Sequence, residues 1–206
     1  MPFTATADDQ ALDALADVAP STNLIAYASL HSAYSATGAN ELTGGSPAYA
    51  RVALSWSAAA GSSKSLSATP SAFNVPGSSA VAWIGMWSAA TGGTFTGMGA
   101  NGAATQYVFT AATSGNLFTA PGSGYSNGQA VVLFPGAGGT TPGGFTAGTI
   151  YYVVSVSGAT FELAATSGGS AITVSAAGSG LVQAITLETF GAQGFFTINA
   201  DTLSLV

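Results

Sequence analysis

Val81–Trp87 reads VAWIGMW, a short run of apolar and aromatic side chains without a charge. Such a run, bounded by segments rich in Ser, Gly and Thr, is typical of a buried β-strand. The even spacing of Trp83 and Trp87 places both side chains on one face of that strand, with Gly85 between them. We expect the two Trp residues to pack in a sandwich core. The alternative is a contact with another subunit, since Trp is enriched at interfaces.

The segments around this strand repeat the pattern. Short apolar or alternating runs are separated by turn-forming clusters such as NELTGGS at 40–46 and ATGG at 90–93. The strands predicted outside residues 105–185 are Leu24–His31, Ala50–Trp56, Val81–Trp87, Gly93–Met98, Phe195–Ile198 and Leu203–Val206. Their spacing predicts a mainly β fold, an antiparallel, jelly-roll-like β-sandwich.

One short helix is predicted at the N-terminus, over Ala7–Ala19. Apolar side chains recur there at helical spacing, with Thr6 or Asp8 as the expected cap and Pro20 as the expected end. We expect the acidic side chains of this segment to form a solvated face that is available for docking. Those residues are Asp8, Asp9, Asp13 and Asp17.

The composition changes near Thr105. From there to residue 185, short strands rich in β-branched and aromatic residues alternate with Gly-rich connectors such as PGAGGTTPGG at 135–144. The predicted strands are Tyr107–Thr110, Leu117–Thr119, Gln129–Phe134, Thr149–Val156, Thr160–Leu163, Ala171–Val174 and Gly180–Ile185. We predict a β-sandwich domain of residues 1–104 plus 186–206, interrupted by an inserted small all-β module of residues 105–185.

Charge is scarce and excludes several classes of protein. Two basic residues, Arg51 and Lys64, stand against eight acidic ones, for a formal net charge of −6. Nucleic acid is not an expected partner, because two cations displace few counterions from phosphates. The chain has no Cys, which excludes thiol catalysis and disulfides. No apolar stretch reaches the roughly 18 residues of a membrane span, and the first ten residues lack a signal-peptide pattern, so no membrane partner is expected.

The distribution of charge indicates an assembly subunit. Residues 65–161 contain no charged side chain. Soluble monomers normally keep mixed charges on their surface, and exposed strand edges are normally protected by charges. A surface of Ser, Thr, Gly and Ala therefore fits a protein whose faces are covered by neighbouring subunits.

The residues offer little catalytic chemistry. His31 is the single histidine and no G-x-S-x-G turn accompanies it, so we interpret it as a packed or hydrogen-bonded histidine. Glycosidases need two carboxylates in one cleft, and the acids outside the helix are scattered: Glu41, Glu162, Glu188 and Asp201. We predict no enzyme activity, no cofactor and no metal. Arg51 is expected in a structural ion pair with Glu41 or with an acid of another subunit.

Two stretches, ASLHSAYSATGANELTGGSPAYAR at 28–51 and VAWIGMWSAATGGTF at 81–95, together resemble a domain of tailed-bacteriophage virion proteins. That family combines an N-terminal helix with an SLH…TGANE…GG…YAR run and a GlW.AatGG strand pair. Its Asp-Pro is replaced here by Tyr34 and Ser35, and Pro47 and Ala48 are inserted before the Tyr. The ending GFFTINADTLSLV at 194–206 is also similar to the family's ending.

The inserted module resembles a second phage-associated pattern. Its matches include NG at 127–128, GTIYYVV at 148–154, TFEL at 160–163 and GG at 168–169. The two resemblances cover most of the chain. They imply a structural protein of a tailed-phage virion, assembled in the bacterial cytoplasm.

Together these features predict an oligomeric capsid decoration or head-fibre protein on the outer surface of the head. The expected partners are further copies of itself, as a homotrimer, and the major capsid protein or other virion proteins. Arg51, Trp83 and Trp87 are the candidate structural or subunit-contact residues. The alternative is a minor tail or tail-tip protein whose inserted module binds a host surface.

Overall fold

The computed structural model describes residues 5–16, 24–102 and 104–204. The chain splits into two compact units, one formed by Met1–Gly99 with Glu188–Val206 and one by Ala100–Leu187. Short antiparallel strands make up most of both units, and one short helix lies at the N-terminus. The predicted mainly β fold with one N-terminal helix is therefore confirmed.

The helices and strands follow one another along the chain as short elements. Numbered in chain order, they are α1 (Ala5–Leu15), β1 (Tyr27–His31), β2 (Val52–Ala53), β3 (Ser63–Ser65), β4 (Phe73–Val75), β5 (Ser79–Val81), β6 (Trp83–Trp87), β7 (Phe95–Ala100), β8 (Gln106–Ala111), a 3₁₀ turn (Ser114–Asn116), β9 (Phe118–Thr119), β10 (Ala130–Phe134), β11 (Ile150–Ser157), β12 (Thr160–Ala164), β13 (Gly178–Ala184), β14 (Glu188–Phe190), β15 (Gly194–Phe196) and β16 (Thr202–Ser204).

The first unit combines a four-stranded sheet with three two-stranded ribbons. The sheet has the order β2-β1-β6-β7, and the ribbons are β14-β5, β15-β4 and β16-β3. Each ribbon therefore pairs a strand that precedes the second unit with a strand that follows it. An apolar cluster lies between the sheet and the ribbon β15-β4 in a sandwich-like arrangement; it includes Ala28, Leu30, Phe73, Val75, Met86 and Phe196.

The second unit is a closed antiparallel barrel. Its strand order is β10-β11-β12-β9-β8-β13, which leaves no free edge between these six strands. Aromatic rings fill the interior: Phe118 stacks on Phe161 with centroids 5.8 Å apart and meets Phe145 edge-on at 5.0 Å. Tyr151 also belongs to this core, whereas Tyr152 is half-buried outside it.

The two ends of the second unit lie side by side. β8 pairs with β13 along its whole length, from Gln106 opposite Gln183 onward. Just outside the barrel, the Thr186 amide donates to the Asn101 carbonyl at 2.8 Å, and the Asn101 side-chain amide donates to the Thr186 carbonyl at 3.2 Å. The chain therefore enters and leaves the second unit at neighbouring positions, which is the geometry that an inserted domain requires.

Some predicted elements differ from the observed ones. Thr6 and Asp8 lie inside α1 rather than capping it, and the helix ends at Leu15; Asp17 and Pro20 lie outside the described residues. Residues 171–174 form no strand, because pairing is limited to a single β-bridge between Ala171 and Ala164 and the Val174 amide bonds to the Asn116 side chain. Of the predicted closing strand 203–206, residues 203 and 204 are described, and both belong to β16 (Thr202–Ser204).

Excision tests the independence of the two units. We expect residues 100–187 expressed alone to fold, because their barrel is closed and their ends are already adjacent. We also expect the remainder to fold when a short Gly-Ser linker joins Gly99 to Glu188. Thermal unfolding followed by circular dichroism should give a cooperative transition for each piece, and an unfolded spectrum for either one would contradict this division.

Candidate functional site

Side chains from residues 28–51 and 81–95 gather on one face of the four-stranded sheet. β1 and β6 pair antiparallel, with Ser29 directly opposite Gly85. Because side chains alternate along a strand, Trp83 and Trp87 share the face of Gly85, while Met86 points into the apolar cluster on the other side. The Trp residues therefore share one face, as predicted, but that face is not the one that packs in the main cluster.

On this face, each Trp ring packs against a different aromatic ring. Trp83 is 1% exposed, and its ring centroid lies 5.2 Å from that of Tyr34. Trp87 is half-buried, with the ring of Phe95 at 5.0 Å. Burial of Trp83 within one chain leaves it almost no surface for a partner, so its contacts here are structural.

Arg51 lies over Trp87 and binds Glu41 through one edge of its guanidinium, formed by Nε and Nη2. The Arg51 Nη2–Glu41 Oε2 distance is 2.7 Å and the Nε–Oε1 distance is 2.9 Å. Nη1 donates to the carbonyls of Ala89 at 3.1 Å and Gly92 at 2.7 Å, and the guanidinium carbon is 3.5 Å from the Trp87 ring centroid. The side chains of the pair are only 10% and 20% exposed. A bidentate, stacked Arg in this setting is a structural clamp.

Tyr49 links this clamp to the central strand. Its hydroxyl donates to Glu41 Oε1 at 3.2 Å and accepts the backbone amide of Leu30 at 2.8 Å. Burial raises the pKa of Tyr49 well above its usual range, so the hydroxyl keeps its proton. The Glu41 carboxylate thus receives hydrogen bonds from two side chains of the YAR segment.

A chain of hydrogen bonds runs beneath the clamp. Trp87 Nε1 donates to Ser29 Oγ at 2.8 Å, and Ser29 Oγ lies 2.6 Å from His31 Nε2. His31 Nδ1 lies 2.8 Å from the Ala39 carbonyl, which only accepts, so the proton is assigned to Nδ1 and Nε2 accepts from Ser29. Burial lowers the pKa of His31, which favours this neutral tautomer.

Ser29 and His31 have the atoms of a nucleophile–base pair, but a substrate could not reach them. Both residues are 0% exposed, and the Ser29 hydroxyl oxygen already accepts from the Trp87 indole. A nucleophile must reach a substrate carbonyl, and these atoms are enclosed by the fold. The interpretation of His31 as a hydrogen-bonded structural histidine is consistent with this geometry. The i, i+2 spacing on a strand is the sequence signal that would have paired Ser29 with His31.

Two glycines make the close approach possible. A Cβ on Gly85 would overlap Ser29 Oγ and lie 2.5 Å from His31 Nε2. Gly38 has φ of +80°, and a Cβ there would run into the Trp87 ring. Gly85 and Gly38 therefore leave the space that the side chains of this network occupy.

The acidic helix binds its own unit rather than presenting a free face. Asp8 accepts from the Ser62 hydroxyl at 2.9 Å and Asp9 accepts from the Ser62 amide at 2.8 Å. Asp13 accepts from the Ala59 amide and from Lys64, whose side chain is fully buried. These three acids therefore bind their own unit instead of forming a free docking face, while Asp13 keeps 45% of its side chain exposed to solvent. Hydrogen bonds from Lys64 and the Ala59 amide hold the pKa of Asp13 below its usual value.

Comparisons with known protein families, with curated proteins and with solved structures find no match to this chain. The described residues include no group of three or more His, Cys, Asp or Glu side chains placed to hold a metal ion. No helix in the described part of the chain is long and apolar enough to cross a membrane.

The Gly85→Ala substitution tests the network. We expect it to lower the free energy of unfolding by about 2 kcal/mol, because the added methyl group displaces Ser29 and His31. Gly97→Ala on β7 of the same sheet is the matched control, since a Cβ there meets nothing within 4 Å; we expect a change within about 0.5 kcal/mol. Equal effects of the two substitutions in urea unfolding would contradict the network.

The stability of the protein should depend on pH through His31. Because the folded protein binds the His31 proton less tightly than the unfolded chain, stability is full above the ordinary pKa of 6.5 and falls as the pH drops below it. The expected slope is up to about 1.4 kcal/mol per pH unit. Urea unfolding between pH 7.5 and 5 should show this slope in the wild type and lose it in His31→Gln, and an unchanged slope in the variant would refute it.

The ion pair between Asp13 of α1 and Lys64 predicts that a second substitution restores stability lost in an Asp13 variant. Asp13→Ala leaves the buried Lys64 ammonium without its carboxylate, so we expect a clear drop in melting temperature. Adding Lys64→Met removes the stranded charge while keeping the volume, so the double variant should melt above the single Asp13→Ala variant. A double variant that melts at or below the single one would argue that the buried Lys64 ammonium does not depend on Asp13.

Proposed function

We propose that the protein is a non-enzymatic structural component of a tailed-phage virion, an oligomeric decoration or head-fibre protein on the outer surface of the head. The observation that carries this proposal is the convergence of the phage-like motif in one network. Residues 29–51 and 85–93, distant in sequence, meet through Ser29, Glu41, Arg51 and Trp87. The residues that carry the resemblance thus hold this unit together, which supports a structural role like that of the family they resemble.

The use of the polar groups favours a structural role over a catalytic one. Glu41 is bound by Arg51 and Tyr49, and the His31 imidazole is bonded at both nitrogens. In the described helix, Asp8, Asp9 and Asp13 are occupied by the 59–64 turn. These ionisable side chains therefore form bonds within the chain, and those bonds stabilise the fold.

The distribution of charge supports assembly with other subunits. Within Ala100–Leu187 the single acidic or basic residue is Glu162. A surface without charge gives up little solvation when a neighbouring subunit covers it. This is the property expected of a repeated, closely packed virion component such as the proposed homotrimer.

Immunogold labelling of intact particles with antibody against the recombinant chain tests the proposal. Label spread over the head is the expected result. Label confined to the tail or its tip would replace the head placement by the tail-protein alternative, in which the inserted barrel contacts the host surface. Particles without label, in a preparation where antibody recognises the purified protein, would overturn both placements.

A further inference from the structure

We propose that a cavity beside the ribbon β16-β3 binds a lysine side chain of a partner protein, with the Asp201 carboxylate as its counter-charge. The cavity has a volume of about 320 Å³ and is lined by residues 65–69 and 199–202. The sequence motifs assign no function to these residues. The inference goes beyond the virion proposal and does not depend on it.

The cavity forms where two paired segments of the chain separate. Thr202 lies opposite Ser65 in the ribbon, and the Leu66 amide still donates to the Asp201 carbonyl at 3.2 Å. The Ser67 amide donates instead to the Ser55 carbonyl at 2.8 Å. The two segments therefore diverge beyond Leu66, and the cavity lies in the fork between them.

A carboxylate and an apolar side chain are the least exposed parts of the lining. Asp201 and Leu66 are half-buried, whereas the other seven lining residues are exposed. Those seven are small or polar and uncharged, and four of them carry hydroxyl groups: Ser65, Ser67, Thr69 and Thr202. The cavity thus combines one charge, one apolar surface and a rim of hydrogen-bonding groups.

The Asp201 carboxylate has few partners of its own. Within the described residues it accepts one hydrogen bond, from the Thr202 amide to Oδ1 at 2.8 Å. Burial raises the pKa of Asp201 above its ordinary value, which shows that the ionised form is poorly compensated in the fold. A positive charge that enters the cavity would therefore stabilise the carboxylate.

The chain has no basic side chain to offer Asp201. Its two basic residues are Arg51 and Lys64. Arg51 is paired with Glu41 and Lys64 with Asp13, and both pairs involve largely buried basic groups. A cation for Asp201 therefore has to come from another molecule.

The chemistry of the cavity favours a lysine side chain over other cations. A Ca²⁺ ion needs six or more oxygen ligands, usually with several carboxylates, and Asp201 is the only acid of the lining. A bidentate Arg would use both carboxylate oxygens, but Oδ1 already accepts the Thr202 amide. An ammonium needs one oxygen, Oδ2, with the rim hydroxyls as further acceptors, and its aliphatic stem can pack against Leu66.

Titration of the purified chain with Nα-acetyl-lysine methylamide tests the inference. The backbone amide shifts of Leu66, Ser67 and Thr202 in ¹⁵N-correlated NMR spectra should move in a saturable way, with a millimolar dissociation constant. The norleucine analogue, which keeps the stem but lacks the ammonium, and the arginine analogue should each bind at least about tenfold more weakly.

Three results of this titration would overturn the inference. They are the absence of saturable shifts with the lysine probe, equal binding of the norleucine or arginine analogue, and tighter binding of putrescine. The last result would assign the cavity to a free diamine rather than to a protein side chain.

A pair of matched substitutions tests the role of Asp201. Asp201→Asn keeps the size of the side chain and an acceptor for the Thr202 amide, and should weaken lysine binding at least about tenfold. Glu188→Gln removes the same charge from an exposed position on β14 and should leave binding unchanged. Equal binding by the wild type and Asp201→Asn would refute the assignment. Particle labelling tests the virion proposal separately, so either proposal can fail alone.

Discussion

The ion pair between Glu41 and Arg51 links the segment 41–51 to strand β6 and the turn that follows it, which lie much further along the chain. Through Arg51 it reaches the Trp87 ring and the carbonyls of Ala89 and Gly92. Through Glu41 it reaches Tyr49, whose hydroxyl holds the Leu30 amide of the central strand. Because both charged groups are largely buried, loss of either would leave the other without its partner in a region of low dielectric.

The hydrogen-bond chain below the clamp depends on the same ion pair. Arg51 covers the ring of Trp87, and the Trp87 indole donates to the Ser29 hydroxyl, which in turn donates to His31 Nε2, while the Ala39 carbonyl fixes the tautomer of His31. The side chains that resemble catalytic groups in the sequence are thus engaged in hydrogen bonds and ion pairs within the fold. This explains how one chain combines a histidine, several carboxylates and many serines with a structural role in our proposal.

The sequence predicted the longer strands and missed the three-residue strands β3, β4 and β14, for physical reasons. Runs such as AVVLF at 130–134 are recognisable because a strand buried on one face or both leaves an apolar pattern. The three-residue strands β3 and β14 are polar or mixed, and each pairs with a strand far away in sequence, so local pattern does not reveal them. The bonds from α1 to the 59–64 turn were equally invisible, because helical periodicity describes one element and not what covers it. The choice of sheet face for Trp83 and Trp87 likewise depends on tertiary packing.

A double-mutant cycle on Glu41 and Arg51 tests this account most directly. The free energy of unfolding in urea would be measured for the wild type, Glu41→Gln, Arg51→Met and the double variant. The account predicts a coupling energy of at least about 1.5 kcal/mol, with the double variant close in stability to the less stable single variant. A coupling energy below about 0.5 kcal/mol, the size typical of an exposed surface pair, would contradict the central place of this ion pair.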